Sequence, residues 1–127
     1  MLLIHYLKFL ENKYYDLIES ALAKGTDSDI VQIRKFEARN KGSMCPTLTA
    51  NMGTGGHNVP FIKDRWGIRK LTERECLRFQ GFPEAFSFPD EVKRFARYTQ
   101  LGNTVTVKVI EVLANECRRI IEESEFT

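Results

Sequence analysis

The segment RKLTERECLRFQGFP, residues 69–83, constrains the fold of this chain more than any other. It fixes both ends of a helix. Thr72, followed three residues later by Glu75, is a capping box: the hydroxyl meets the Glu75 amide while the carboxylate reaches back. Gly81 permits a left-handed residue past the helix end, and Pro83 prevents the helix from resuming. Between these signals Cys76, Leu77 and Phe79 are expected to face inward, with Glu73, Arg74 and Arg78 facing out. Arg69 and Lys70 place basic charge immediately before the helix.

Upstream, Leu3, Leu7, Leu10, Tyr14, Leu17 and Ala21 recur at alternating steps of four and three, which predicts a helix over residues 2–24. Tyr15, Ile18 and Leu22 widen its apolar stripe, and Lys24-Gly25 reads as its C-terminal cap. Val31 and Ile33 alternate with Gln32 and Arg34 as in a short strand. A turn at Asn40-Lys41-Gly42-Ser43 follows, then an extended stretch at 47–50. The loop NMGTGGHNVP (51–60) has three glycines that allow close approach of another backbone or ligand. It is not a P-loop, since no Gly-Lys-Ser/Thr follows. Residues 59–62 read as another strand and Asp64-Arg65-Trp66-Gly67 as a turn.

Downstream, Pro89-Asp90 opens a helix to about Tyr98. Gln100-Leu101-Gly102-Asn103-Thr104 reads as a tight turn. A final helix from about Val105 to Glu123 carries Val109, Ile110, Leu113, Cys117, Ile120 and Ile121 on one face. The expected class is α+β: an N-terminal helix, a small β-rich segment with a glycine-rich loop, then helices.

The chain has 127 residues, the size of one domain, and a net charge of +2. That charge is uneven: residues 31–80 hold ten Lys/Arg against four Asp/Glu, and the flanking segments are each slightly acidic. A basic middle third is the electrostatic footprint of a phosphate-contacting surface, although a solvated face reads the same way. Cys45, Cys76 and Cys117 are too scattered for a disulfide framework or a zinc spacing, so reduced, mostly buried thiols are expected. The apolar start is interrupted by His5, Lys8 and Glu11 and falls short of a membrane span. It also lacks a signal-peptide pattern, so a cytoplasmic location is expected. Neither His5 nor His57 has a metal-ligand partner nearby in sequence, and no metal site is expected. No nucleophile–base order or dinucleotide fingerprint is present, and these residues alone do not name a function.

Three ordered segments, however, resemble the C-terminal part of the DNA (cytosine-5) methyltransferases. RKLTERECLRFQGFP (69–83) resembles the family's ninth motif, and QLGNTVTVKVIEVLA (100–114) its tenth. CPTLTANMGTGGHNVPFI (45–62) is similar to the end of the target recognition domain in bacterial members, many of them restriction-modification enzymes. With the N-terminal helix taken as 1–25, the resemblance implies part of a recognition domain over 26–68 and a 69–127 region completing a Rossmann-like catalytic domain. It implies that Asn103, Thr104 and Phe82 wall part of an S-adenosylmethionine pocket completed by another chain or a missing N-terminal half. It further implies double-stranded DNA contacts from Arg34, Arg39, Lys41, Thr47, Thr49, Asn51, Gly53, Gly55, Gly56, His57 and Arg69. Arginine's fork suits guanine O6/N7, and glycines let a loop backbone approach the groove.

The family's Phe-x-Gly-x-Gly cofactor loop, Pro-Cys nucleophile, Glu-Asn-Val segment and Gln-x-Arg-x-Arg motif are absent from this sequence. Cys45 precedes its proline instead of following one, so no catalytic residue is assigned. Lys108 stands where relatives are expected to carry proline or an apolar residue. The expectation is a small subunit or C-terminal piece, inactive alone, whose partner is a larger methyltransferase subunit carrying the catalytic cysteine. A non-catalytic DNA-binding or interaction module, including a decayed remnant, is the alternative.

Overall fold

The computed structural model describes residues 14–26, 28–54 and 57–125. The first half of the helix expected over 2–24, together with His5, lies outside the described residues. In order, the elements are α1 (Tyr15–Leu22), β1 (Ile30–Arg34), β2 (Glu37–Asn40), a 3-10 turn (Ala50–Gly53), β3 (Phe61–Asp64) and β4 (Gly67–Lys70). Three helices follow: α2 (Glu73–Phe79), α3 (Arg94–Asn103) and α4 (Val107–Glu125). Among the described residues this is a mixed α+β arrangement with four helices and one antiparallel sheet of order β2-β1-β3-β4.

The sheet has a core on each face. Val31, Ile33, Phe61 and Ile68 point to one side, where Tyr14, Ile18 and Leu22 of the α1 region cover them. The buried positions of α1 are spaced by four, as a helical stripe requires. Of the row expected from sequence, Tyr14 is buried and Ala21 packs against the core, whereas Leu17 is 42% exposed, so the stripe is centred on Ile18. On the other side Ile62 joins a second core of Leu48, Met52, Val59, Leu71, Cys76, Leu77, Tyr98 and Leu101. Phe61 and Ile62, adjacent on β3, thus serve different cores because successive strand side chains alternate. The Tyr98 hydroxyl, buried in the second core, donates to the Leu71 carbonyl at 2.6 Å.

Several sequence expectations shift. Gly25 does not cap α1 in a left-handed conformation; Ala23 closes it with helical φ/ψ. A Cβ on Gly25 would sit 1.8 Å from Asp29 Oδ2 and displace its hydrogen bond with Asn40. Strands β2 and β4 were hidden by polar composition. The stretch expected as extended at 47–50 pairs with no strand and leads into the 3-10 turn. The strand expected at 59–62 begins at Phe61. The helix expected from Pro89 starts at Arg94, and the turn expected at 100–104 is the last part of that helix; the turn occupies 104–106. Phe79, expected inside, is exposed.

The organising helix is built as its sequence specifies. Thr72 Oγ1 accepts from the Glu75 amide at 3.2 Å, and Glu75 Oε2 accepts from the Thr72 amide at 2.8 Å. At the other end Gly81 adopts φ 80°, Phe82 N donates to the Leu77 carbonyl and Gly81 N to the Arg78 carbonyl. That pair of bonds is a Schellman motif.

Candidate functional site

The C-terminus of α2 is tied to the 104–106 turn through one residue. Gln80, buried, donates from Nε2 to the Leu101 carbonyl at 3.3 Å and accepts at Oε1 from Thr106 Oγ1 at 3.0 Å. Its main-chain carbonyl accepts from Val107 N at 2.8 Å, which anchors the first turn of α4. Thr104 Oγ1 donates to the Leu101 carbonyl at 2.8 Å. Nothing in the sequence beyond a polar residue before Gly81 signalled this bracket.

Two glycines bring the segment 47–53 against α3. A Cβ on Gly102 would lie 2.0 Å from the Thr49 carbonyl carbon and 2.2 Å from Ala50 N. A Cβ on Gly53 would lie 2.0 Å from Thr99 Oγ1 and 2.4 Å from the Phe95 carbonyl oxygen. Neither position admits a side chain without moving backbone. Gly53 was expected as a loop glycine approaching DNA; in the fold it is a packing glycine against α3.

The result is a cleft of about 360 Å³ lined by Cys45, Pro46, Thr47, Leu48, Phe79, Gln80, Thr104, Val105 and Thr106. It brings together Thr47, expected to face DNA, and Thr104, expected to face cofactor. Asn103 is exposed beside it at the end of α3. Phe82 packs at the edge of the second core, its ring tilted against Phe86 at 4.9 Å. The cleft lining contains no charged side chain. It fits one wall of a cofactor pocket, offering hydroxyls, an amide and an apolar floor, while charged groups of a ligand would need partners from elsewhere.

Neither thiol in this part of the fold is activated. Burial pushes Cys45 up to about 11. Cys76 rises to about 12, through burial first and then the neighbouring Cys45, Glu75 and Glu73. Both are protonated at neutral pH, and the Cys45 thiol donates to the Pro46 carbonyl. A thiolate is the nucleophilic form, so neither is poised to attack.

The remaining expected DNA residues are spread over the sheet and the loop. Strand register places Arg34, Arg39 and Arg69 on one face of the sheet, since Gln32 pairs with Arg39 and Ile62 with Arg69. Arg39 makes a loose, exposed ion pair with Glu37 at 3.4 Å, and Lys41 is half-buried. Arg69 is different. Its Nε donates to Asp64 Oδ2 at 2.7 Å and its Nη atoms hold both Glu75 oxygens at 2.8 Å, with a further bond to the Lys70 carbonyl. The side chain is only 15% exposed. Its donors brace β3, β4 and the α2 cap. Thr49 donates to Asn51 Oδ1, and the Asn51 carbonyl accepts from Thr54 and Asn58, so these residues shape the loop. His57 lies against Tyr14, ring centroids 5.1 Å apart, on the α1 side of the sheet. Gly55 and Gly56 lie outside the described residues.

Among the described residues no helix is long and apolar enough to cross a membrane, and no cluster of His, Cys, Asp or Glu is arranged to hold a metal ion. The last helix is unlike the others: α4 spans 19 residues and buries none of them. Val109, Ile110, Leu113, Ile120 and Ile121 form an uncovered apolar face. Lys108 points away from it and pairs with Glu111 at 2.7 Å.

The 45–53 segment and residues 104–106 thus meet at one cleft, and neither Cys45 nor Cys76 beside it is an activated thiol. The sequence matches the family profile described as C-5 cytosine-specific DNA methylase over residues 7–119. The chain belongs to that family. It is 58% identical over 81 residues to the type II methyltransferase M.Bsp6I of Bacillus sp. (strain RFL6), covering 64% of this chain and 25% of the relative. To M.BanI of Aneurinibacillus aneurinilyticus it is 41% identical over 80 residues, 60% of this chain and 16% of the relative. To M.MspI of Moraxella sp it is 44% identical over 57 residues, 44% of this chain and 13% of that protein. The chain thus spans a quarter or less of these curated relatives. No solved structure matches it.

Proposed function

We propose that this chain is the C-terminal portion, or a small subunit, of a DNA cytosine-5 methyltransferase. In this reading residues 26–68 contribute to target recognition in double-stranded DNA, and 69–127 complete a Rossmann-like catalytic domain in the cytoplasm. Thr104, Asn103 and Phe82 form one wall of the S-adenosylmethionine pocket, with Thr106 and Gln80 holding that wall in place. S-adenosylmethionine, when bound, supplies the methyl group; the residues here orient it and do not make the bond. Arg34, Arg39, Lys41, Thr47, Thr49 and Asn51 serve the DNA side. Arg69 serves as a brace, and a larger segment carrying the Pro-Cys nucleophile is the partner.

The observation that carries this reading is the Gln80 bracket with the Gly102 contact. Together they hold the 45–49 segment and the 104–106 turn around one cleft. The uncovered apolar face of α4 supports a partner, because an amphipathic helix of this length is stabilised mostly by packing that face. The test is to mix the chain with the separately expressed Pro-Cys-containing region of a relative and follow transfer of tritiated methyl groups to DNA. Neither component is expected to label DNA alone, and the mixture is. A folded mixture that transfers nothing, while the chain alone binds DNA, would replace this reading with a non-catalytic DNA-binding module.

A further inference from the structure

The β1–β2 hairpin closes on Lys35 and Phe36, and both have positive φ, 48° and 65°. Two-residue turns of this kind favour Asn-Gly, because side chains with a bulky Cβ substituent are strained there. Here the turn carries a cation and an aromatic ring, and Phe36 is 73% exposed, so burial does not offset the strain. The hairpin at the opposite end of the sheet shows that the fold does not demand this. There Gly67 takes the positive φ of 123°, Asp64 Oδ1 accepts from Trp66 N at 2.8 Å, and the Arg65 guanidinium lies 4.8 Å from the Trp66 ring. Both tips present an exposed aromatic ring, but at one a glycine takes the positive φ and at the other Lys35 and Phe36 must take it. Strain of this sort persists where function requires it.

Arg34 and Arg39 lie on one sheet face just behind the strained tip, since Gln32 pairs with Arg39 and Arg34 with Glu37. An exposed aromatic ring with cations behind it is the chemistry of a wedge: apolar side chains enter base steps while neighbouring cations meet the flanking phosphates. We propose that Phe36 inserts into a base step of double-stranded DNA, with Lys35 and Arg39 on the adjoining phosphates. This rests on the DNA-recognition reading above and adds to it a residue pair whose sequence gave no sign of the role.

The test uses the full chain and two fluorescein-labelled 30-base-pair duplexes of one mixed sequence, one intact and one with a single central abasic site. Opening a step costs less where a base is missing, so the wild-type chain is expected to bind the abasic duplex more tightly. Phe36→Ala is expected to weaken binding about tenfold and to erase that preference, as loss of a base-stacking ring does. Lys35→Gln is expected to reduce the salt slope by about one unit. The double variant Lys35→Asn/Phe36→Gly suits the turn, so it is expected to raise the melting temperature while weakening binding. A purely structural tip predicts the reverse: a lower melting temperature with unchanged binding, which would overturn the wedge. Equal binding by Phe36→Ala and wild type would overturn it and leave the DNA reading standing. Failure of the wild-type chain to bind either duplex would overturn the wedge, while methyl transfer by the mixture with the Pro-Cys-containing region would still decide the DNA reading.

Discussion

Helices α2 and α4 are opposites. The first has 7 residues, a capping box, a Schellman ending, and Cys76 and Leu77 buried. The second has 19 residues, about 28 Å of helix at 1.5 Å per residue, and buries none. The short helix is held by what surrounds it. The long one is held along its polar face by ion pairs within itself, Arg119 to Glu116 and Glu123 and Arg118 to Glu122. Helix length is therefore a poor guide to how firmly an element belongs to this fold. Burial and capping decide that, and by those measures α2 is held within the fold while α4 lies exposed on it.

The comparison can be broken most directly by equal truncations. Leu77 is 2% exposed, and Leu77→Ala is expected to cost about 3 kcal/mol in urea unfolding, from lost transfer energy and the cavity left behind. Leu113→Ala on α4 is expected to stay within about 0.5 kcal/mol. Similar costs at the two sites would mean that α4 packs on the chain in solution.

Next in size is the brace beneath α2. Arg69→Met leaves Asp64 and Glu75 without the guanidinium that both accept from, and about 2 kcal/mol of stability is expected to go. The figure sits below that for a fully buried pair because all three side chains keep some solvent access. The same brace predicts a pH dependence. Burial alone would raise the Glu75 carboxyl, but the Arg69 guanidinium and the Thr72 amide and hydroxyl outweigh it and hold it below its ordinary value of 4.5. Asp29 is likewise lowered from 3.8, by hydrogen bonds from Thr26 first and then Asn40. A depressed carboxyl stabilises the fold above its unfolded-state value and loses that contribution as pH falls through the folded value. Stability is therefore expected to be flat near neutrality and to fall below about pH 4.5. In Arg69→Met the part of that fall due to Glu75 should shrink, which a series of urea melts from pH 6 to 3 would detect.

Much of this central region was legible in the sequence. Thr72, Glu75 and Gly81 announce the helix and its ends because capping is local chemistry: the partners lie within a few residues of each other. Val31 and Ile33 likewise announce β1. The strands β2 and β4 were not legible, since GIRK and EARN carry almost no apolar alternation and exist because neighbours pair with them. Gly102 misled for a related reason. A glycine near Asn and Thr reads as a turn, yet here it permits the Thr49–Ala50 backbone to touch a helix, a contact more than fifty residues away in sequence. The site followed the same rule. Thr104 and Thr47 could be named from resemblance, but the Gln80 bracket that brings their segments together is purely tertiary, and so is the pairing that spends Arg69 inside the fold.

Gln80 itself offers a finer test. Gln80→Met keeps the volume and removes both side-chain hydrogen bonds, leaving the Leu101 carbonyl and the Thr106 hydroxyl without that partner. The expected cost is about 1–2 kcal/mol. The more telling readout is local: hydrogen exchange at Val107 and along the first turn of α4 should accelerate while α2 amides keep their protection. Uniform acceleration across both helices would mean that the bracket supports the whole fold and does not specifically seat the turn.

The smallest effect on the chain alone should come from Ile110→Asp combined with Ile120→Asp. Both side chains are already exposed on α4, so no packing is lost, and the change in unfolding free energy is expected to lie within about 0.5 kcal/mol. In the mixture with the Pro-Cys-containing piece the same double substitution should abolish methyl transfer, because two carboxylates would have to be buried in the apolar contact that covers α4. A conservative pair, Ile110→Val with Ile120→Val, should keep most of the transfer. If the aspartates leave transfer intact, the exposed face of α4 is not where the larger piece docks. The contrast between α2 and α4 would then reflect a helix that stays solvated in the assembled enzyme, stabilised by its own ion pairs.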